Sequence, residues 1–119
     1  MNTRKTGAQK EEQVCAYLLS KGVIIRERNF RCRQGEIDII GETDGYLVFF
    51  EVKYRSSAVK GHAAEAVGAA KQRTICRVCD YYRYTRRCSE TTPVRFDVIT
   101  LEAGNLTWIK NAFMYRMRG

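Results

Sequence analysis

The stretch GEIDIIGETDGYLVFFEVKYR, Gly35 to Arg55, decides how the chain is read. Glu36 to Gly41 alternates acidic and aliphatic residues, and Tyr46 to Lys53 is a near-continuous apolar run that ends in charge. The two segments read as the arms of a β-hairpin. Because side chains alternate between faces along a strand, Glu36 and Asp38 share one face of the first arm, and Phe49, Glu51 and Lys53 share one face of the second. With Glu42 to Gly45 as a four-residue loop, Gly41 pairs with Tyr46, Glu36 lies opposite Glu51, and Asp38 lies opposite Phe49. The acids and Lys53 then line one surface. A loop longer or shorter by one residue would put them on opposite faces.

Three carboxylates brought together must be protonated, paired with cations or bound to metal. The hard oxygens of Asp38 and Glu51 suit Mg²⁺ or Mn²⁺, which keeps several waters of its own. In that reading the metal lowers the pKa of a bound water, and Lys53 orients the water or stabilises charge on phosphate oxygens. The chemistry would be in-line hydrolysis of a phosphodiester. The competing reading is a buried ion pair between Lys53 and one of the acids. Against it stands Tyr46 to Phe50, because an apolar central strand gains little stability from a Glu and a Lys on one face.

Outward from the hairpin, Thr6 and Gln9 resemble a capping box, and Val14, Cys15, Leu18 and Leu19 recur at helical spacing up to Gly22. This predicts a helix from about Gly7 to Lys21. Val23 to Phe30 reads as a half-exposed strand, followed by a turn at Gln34-Gly35. On the other side, Arg55 to Gly61 reads as a loop. Ala63 to Tyr82 carries Val67, Ile75, Val78 and Tyr82 on a helical stripe. A polar connection, Arg83 to Pro93, leads to strands at Val94 to Leu101 and Leu106 to Ile109. The expected order is αβββαββ, an α/β domain spanning 1–119 in which helices flank a mixed sheet.

At 119 residues one domain can bury a continuous core. No apolar stretch is long enough for a signal peptide or a membrane span. Five cysteines, an odd number, favour reduced thiols and the cytoplasm as the compartment. A net charge of +8 favours polyanionic partners, nucleic acid above all. Basic residues spread along the whole chain, whereas Glu36, Asp38 and Glu51 gather at one hairpin, an arrangement suited to metal-assisted phosphate chemistry.

These residues resemble the YraN family of small uncharacterised proteins, themselves similar to archaeal Holliday junction resolvases and other restriction-endonuclease-like PD-(D/E)XK nucleases. The resemblance covers about Gly7 to Phe113. It is carried by Gly7 and Glu11 before Tyr17-Leu18, by Asn29, by GEIDII at Gly35 to Ile40 and by FFEVKYR at Phe49 to Arg55. Gly61, Glu65-Ala66-Val67, Lys71 and Arg95-Phe96-Asp97-Val98 complete it. Lys10, Val14 and Phe50 depart from the family's usual glycine, alanine and valine. The resemblance implies a restriction-endonuclease-like core, with Asp38, Glu51 and Lys53 on metal-binding and catalytic positions. It also implies that Glu11 lies near the metal, as a helical glutamate does in the resolvases, and that two copies act together on two strands. The function so implied is a Mg²⁺- or Mn²⁺-dependent endonuclease acting on DNA. The alternative is a nucleic-acid-binding module that keeps the fold without cleaving.

Other residues carry paired readings. Glu11 lies on the stripe of Val14, Cys15 and Leu18, pointing toward the sheet, or else serves the helix dipole. Lys71 reaches a phosphate or a site carboxylate, or packs its stem and snorkels. Arg55 and Arg73 read as phosphate contacts or as solvated charge. Tyr81, Tyr82, Arg83, Tyr84, Arg86 and Arg87 interleave rings and cations, as a single-strand binder does, although packing of the helix end is preferred. Cys76 and Cys79 form a helical CxxC with no second ligand pair, His62 contacts phosphate or simply occupies the loop and is not required by the metal mechanism, and Asp97, a strand residue near the site or a structural partner for Arg95, is left unassigned.

Overall fold

The computed structural model describes residues 7–55 and 67–116, Arg55 by its backbone alone. Its elements are α1 (Gly7–Ser20), β1 (Ile24–Cys32), β2 (Gly35–Thr43), β3 (Tyr46–Arg55), α2 (Ala69–Thr85), β4 (Val94–Glu102) and β5 (Asn105–Phe113). The αβββαββ order expected from the sequence is the order observed. One sheet runs β1-β2-β3-β4-β5; β3 and β4 pair in parallel and the other neighbours are antiparallel. The parallel pair follows from the crossover through α2, since a tight hairpin joins only antiparallel strands.

The two faces of β3 explain its unbroken apolar run. Phe49 packs with Ile75, Val78, Cys79 and Tyr82 of α2, whereas Phe50 and Val48 pack with Val14, Cys15 and Leu18 of α1. A central strand covered by a helix on each side has no solvent face on which to place polar residues. α1 forms because Val14, Cys15 and Leu18 fall on one helical stripe, and all three are buried. It ends where Gly22 takes φ +88 and Val23 N–H reaches back to the Leu18 carbonyl at 3.1 Å.

The second helix departs from expectation at both ends. It runs on to Thr85, with Arg86 N–H donating to the Tyr82 carbonyl at 2.9 Å. At its start, 63–66 lie outside the described residues, and Val67 and Gly68 are not helical. Gly68 is the N-cap in extended geometry (φ −71, ψ 169), a place its low helix propensity suits. All five cysteines are free, and no helix among the described residues is long and apolar enough to cross a membrane.

Arg95 and Asp97 tie three parts of the sheet together. Asp97 is fully buried and accepts from Arg95 Nε at 2.9 Å, Arg95 Nη2 at 2.8 Å, Trp108 Nε1 at 2.9 Å and Asn111 N–H at 2.9 Å. Arg95 also donates to Asp44 at 3.1 Å, pinning the β2–β3 turn to β4. The sequence left Asp97 unassigned; in the structure it is a latch between β4, β5 and that turn.

Candidate active site

The site forms where β2 leaves β3. Their ladder runs from Thr43 opposite Tyr46 to Ile39 opposite Phe50. The connection is therefore the two-residue turn Asp44-Gly45, with φ of +56° and +81°, as the hairpin turns that match strand twist require. This corrects the expected four-residue loop and its register. Glu36 is not opposite Glu51, and Asp38 is not opposite Phe49. The displacement is two residues, so the facing of the strands survives. Carried one step past its last pair, the observed register brings Asp38 to Glu51.

Beyond Ile39 and Phe50 the backbones part. β2 stays with β1 as far as Gly35 opposite Cys32, and β3 stays with β4 as far as Arg55 opposite Glu102. At the fork, Asp38 Oδ2 accepts from Val52 N–H at 2.8 Å, replacing the ladder bond that β2 no longer supplies. Ile37 belongs to the core under α2, whereas Ile39 belongs to the core under α1. Residues two apart on a regular strand share a face, so β2 turns over at Asp38. Asn29, across from it on β1, has φ +54, a conformation that asparagine tolerates better than most residues. This local twist aims the Asp38 carboxylate into the fork.

Glu51 is 5% exposed. Lys53 Nζ lies 3.6 Å and Lys71 Nζ 3.7 Å from its Oε2. Burial pushes the Glu51 carboxyl above the usual glutamate range, the Asp38 charge and a hydrogen bond shared with Asp38 push the same way, and the two lysines offset part of the shift. The arrangement is thus two adjoining carboxylates, one of which, Glu51, meets two ammonium groups. Both lysines are half-buried, with their stems in the fold and their amines at its edge.

Glu11, on α1, accepts from Asn29 Nδ2 at 2.8 Å, with Arg28 Nη2 at 3.5 Å. Tyr54 lies between this group and the fork. Its hydroxyl is pushed up to about 12 by burial and then by the charges of Asp38 and Glu11, and Lys10 sits 5.7 Å from its ring centroid. The only signal for Tyr54 in the sequence is its position one residue past Lys53, and the twisted backbone of Asn29 is not legible there.

The remaining candidates are scattered. Glu36 forms an ion pair with Arg31 at 3.1 Å on the exposed surface of β1 and β2, away from the fork, because its strand has already left β3. Arg73 is exposed on α2. The side chain of Arg55, and all of Gly61, His62 and Glu65, lie outside the described residues. Cys76 and Cys79 are buried beneath α2, with thiols raised by burial. Among the described residues, no group of three or more His, Cys, Asp or Glu is placed to hold a metal ion, so Glu11 does not complete a triad with Asp38 and Glu51.

Fold and site together define a class: an α/β domain whose mixed five-stranded sheet gathers paired carboxylates and lysines where two strands part. The model of the Uncharacterised protein family UPF0102, the YraN family, matches residues 10–101, and the chain belongs to that family. A UPF0102 protein of Lachnoclostridium phytofermentans is 46% identical over 113 residues, which are 95% of this chain and 96% of that protein. One from Cupriavidus necator is 42% identical over 113 residues, covering 94% and 85% of the two chains. Among solved structures, a repair endonuclease from Pyrococcus abyssi is similar over 86% of this chain and 40% of its own, at 15% identity and a TM-score of 0.43.

Proposed function

We propose that the chain is a Mg²⁺- or Mn²⁺-dependent nuclease that hydrolyses phosphodiester bonds in DNA. The observation that carries this reading is the buried Glu51 carboxylate held against Asp38 at the fork, with Lys53 and Lys71 beside it. Fold stability does not call for two acids in contact within an apolar strand environment. A Mg²⁺-type ion needs only one or two protein carboxylates in addition to water and substrate phosphate, so this donor set fits it.

Asp38 and Glu51 would hold the ion, which when bound supplies Lewis acidity and lowers the pKa of water. The Val52 N–H bond fixes the Asp38 carboxylate at the fork. Lys53 places its ammonium beside Glu51, where it would stabilise charge that builds on the phosphate oxygens as water adds and the P–O bond breaks. Lys71, at the start of α2, supplies a second cation for the substrate phosphate, and Arg55 and Arg73 are further phosphate contacts in this reading. Glu11 and Glu36 are secondary. Asn29 and Arg28 hold Glu11 on the α1 side of Tyr54, and Glu36 is tied to Arg31.

A second reading, a nucleic-acid-binding module that does not cleave, draws on the two lysines that already balance Glu51 and on the missing third ligand among the described residues. Incubation of labelled single-stranded, duplex, flap and four-way DNA with each metal, for the parent and Asp38→Ala, separates the two. The nuclease reading expects metal-dependent cutting that Asp38→Ala abolishes. Binding with no cutting on any substrate selects the module.

A further inference from the structure

Resting on the nucleic-acid reading of the fork, we infer that the outward crest of α2, together with the segment after β5, is a stacking surface for unpaired DNA bases. α2 buries Ile75, Cys76, Val78, Cys79 and Tyr82 against the sheet. Its opposite side carries Arg73, Arg77, Tyr81 and Tyr84 at successive spacings of four, four and three, so cations and rings follow one another along the crest. Tyr84 is 85% exposed and Tyr81 40%. An exposed tyrosine ring contributes little to the core, whereas a ring facing solvent on a basic surface suits a base with no stacking partner.

The segment after β5 widens this surface. Arg116 Nε donates to Gln72 Oε1 at 2.7 Å, its N–H donates to Cys76 Sγ at 3.3 Å, and the Tyr115 hydroxyl donates to Asp80 at 2.7 Å. These contacts lay one more arginine and one more half-exposed tyrosine along α2. The acid on the crest, Asp80, is engaged by that hydroxyl. At the far end a hollow of about 380 Å³, lined by Asp80, Arg83, Tyr84, Arg87, Cys88 and Glu90, lies beside the Tyr84 ring.

The helix itself links this surface to the fork. Lys71, within reach of Glu51, is in the first turn of α2, and Tyr84 is in its last. At about 1.5 Å per residue the crest between them runs roughly 20 Å, enough for a few nucleotides of an extended strand. Arginine alone would serve any duplex, since phosphates are the same in both forms. Rings serve only where bases are unstacked, so the occupant is a single strand leading to the fork, as at a flap or a frayed end.

The test is fluorescence anisotropy of a labelled single-stranded oligodeoxynucleotide and of the corresponding duplex, in metal-free buffer. Tyr84→Ala should weaken single-strand binding roughly tenfold, while Tyr84→Phe keeps it and duplex affinity is unchanged. Arg73→Ala with Arg77→Ala should weaken both forms and flatten the salt dependence of single-strand binding, by about 0.7 in slope per lost contact. Unchanged thermal melting of Tyr84→Ala keeps its fold out of the comparison. Single-strand affinity that is absent in the parent or unaltered in Tyr84→Ala overturns the inference. The nuclease reading fails separately, if cutting is absent or survives Asp38→Ala while these affinities behave as stated.

Discussion

Replacing Glu51 by glutamine in metal-free buffer should make the protein more stable at neutral pH, although it removes a partner from two ion pairs. The two lysines at 3.6 and 3.7 Å are each about a third exposed, so each pair contributes under about 1 kcal/mol. Against this, the carboxylate is 5% exposed and in contact with Asp38, and burial of a charge costs several kcal/mol in a protein interior. The raised pKa says which side wins, because it means that the folded state favours the neutral form. Glutamine is that neutral form, and its amide donates to Asp38 as the protonated acid does. The expected gain is about 1–3 kcal/mol, near 4 °C in melting temperature per kcal/mol for a domain of this size.

The dependence on pH carries a sign. Between the unfolded glutamate value of about 4.3 and the raised folded value, the folded parent binds more protons than its unfolded chain. Its stability therefore falls as pH rises through that window. The advantage of the variant should vanish below about pH 4 and grow to a plateau above the folded value. Urea unfolding of both proteins across pH measures it. If Glu51 is instead a structural ion pair, glutamine should cost about 3–5 kcal/mol at neutral pH, and that result would refute the reasoning.

Three further predictions follow from the same contacts. Asp97→Ala leaves the buried Arg95 guanidinium with Asp44 alone and the Trp108 and Asn111 N–H groups unpaired; it should cost about 3 kcal/mol or more in urea unfolding, and a loss under about 1 kcal/mol would remove the latch role. Gly41→Ala brings a Cβ within 2.9 Å of both the Ile24 carbonyl oxygen and Val23 Cγ1; a loss of about 1–3 kcal/mol is expected, and an unchanged melting temperature would contradict the close approach. Mn²⁺ at about one hundred times its Kd should stabilise the parent by about 2.7 kcal/mol and leave Asp38→Asn unmoved, as read by thermal shift.

The hairpin was legible because its signals are local: a period of two in Glu36 to Gly41, an apolar run, and charge at the end of it. Its register was not, because the polar run Glu42 to Gly45 fits a four-residue loop as well as the two-residue Asp44-Gly45 turn that forms. The displacement of two residues, rather than one, kept Asp38 and Glu51 together. Glu36 illustrates the other limit. Alternation assigned it to the face of Asp38, but alternation presumes a flat strand, and β2 turns over at Asp38 and departs with β1. Asn29, which faces that twist, takes a left-handed conformation that asparagine tolerates but that its neighbours in the sequence do not call for. Of the two readings of Lys71, reach to a site carboxylate is the one observed, through the packing of α2 and between residues twenty positions apart.

The chemistry at the fork is tested most closely by the single-turnover rate of DNA cleavage by Lys53→Ala, measured with saturating metal on the substrate that the parent cuts best. With Asp38 and Glu51 intact, metal and DNA should still bind while the rate falls roughly 10²–10³-fold, the usual consequence of losing one group that stabilises transition-state charge. A parent that cuts with Lys53→Ala cutting equally fast would contradict the assignment of chemistry to this fork.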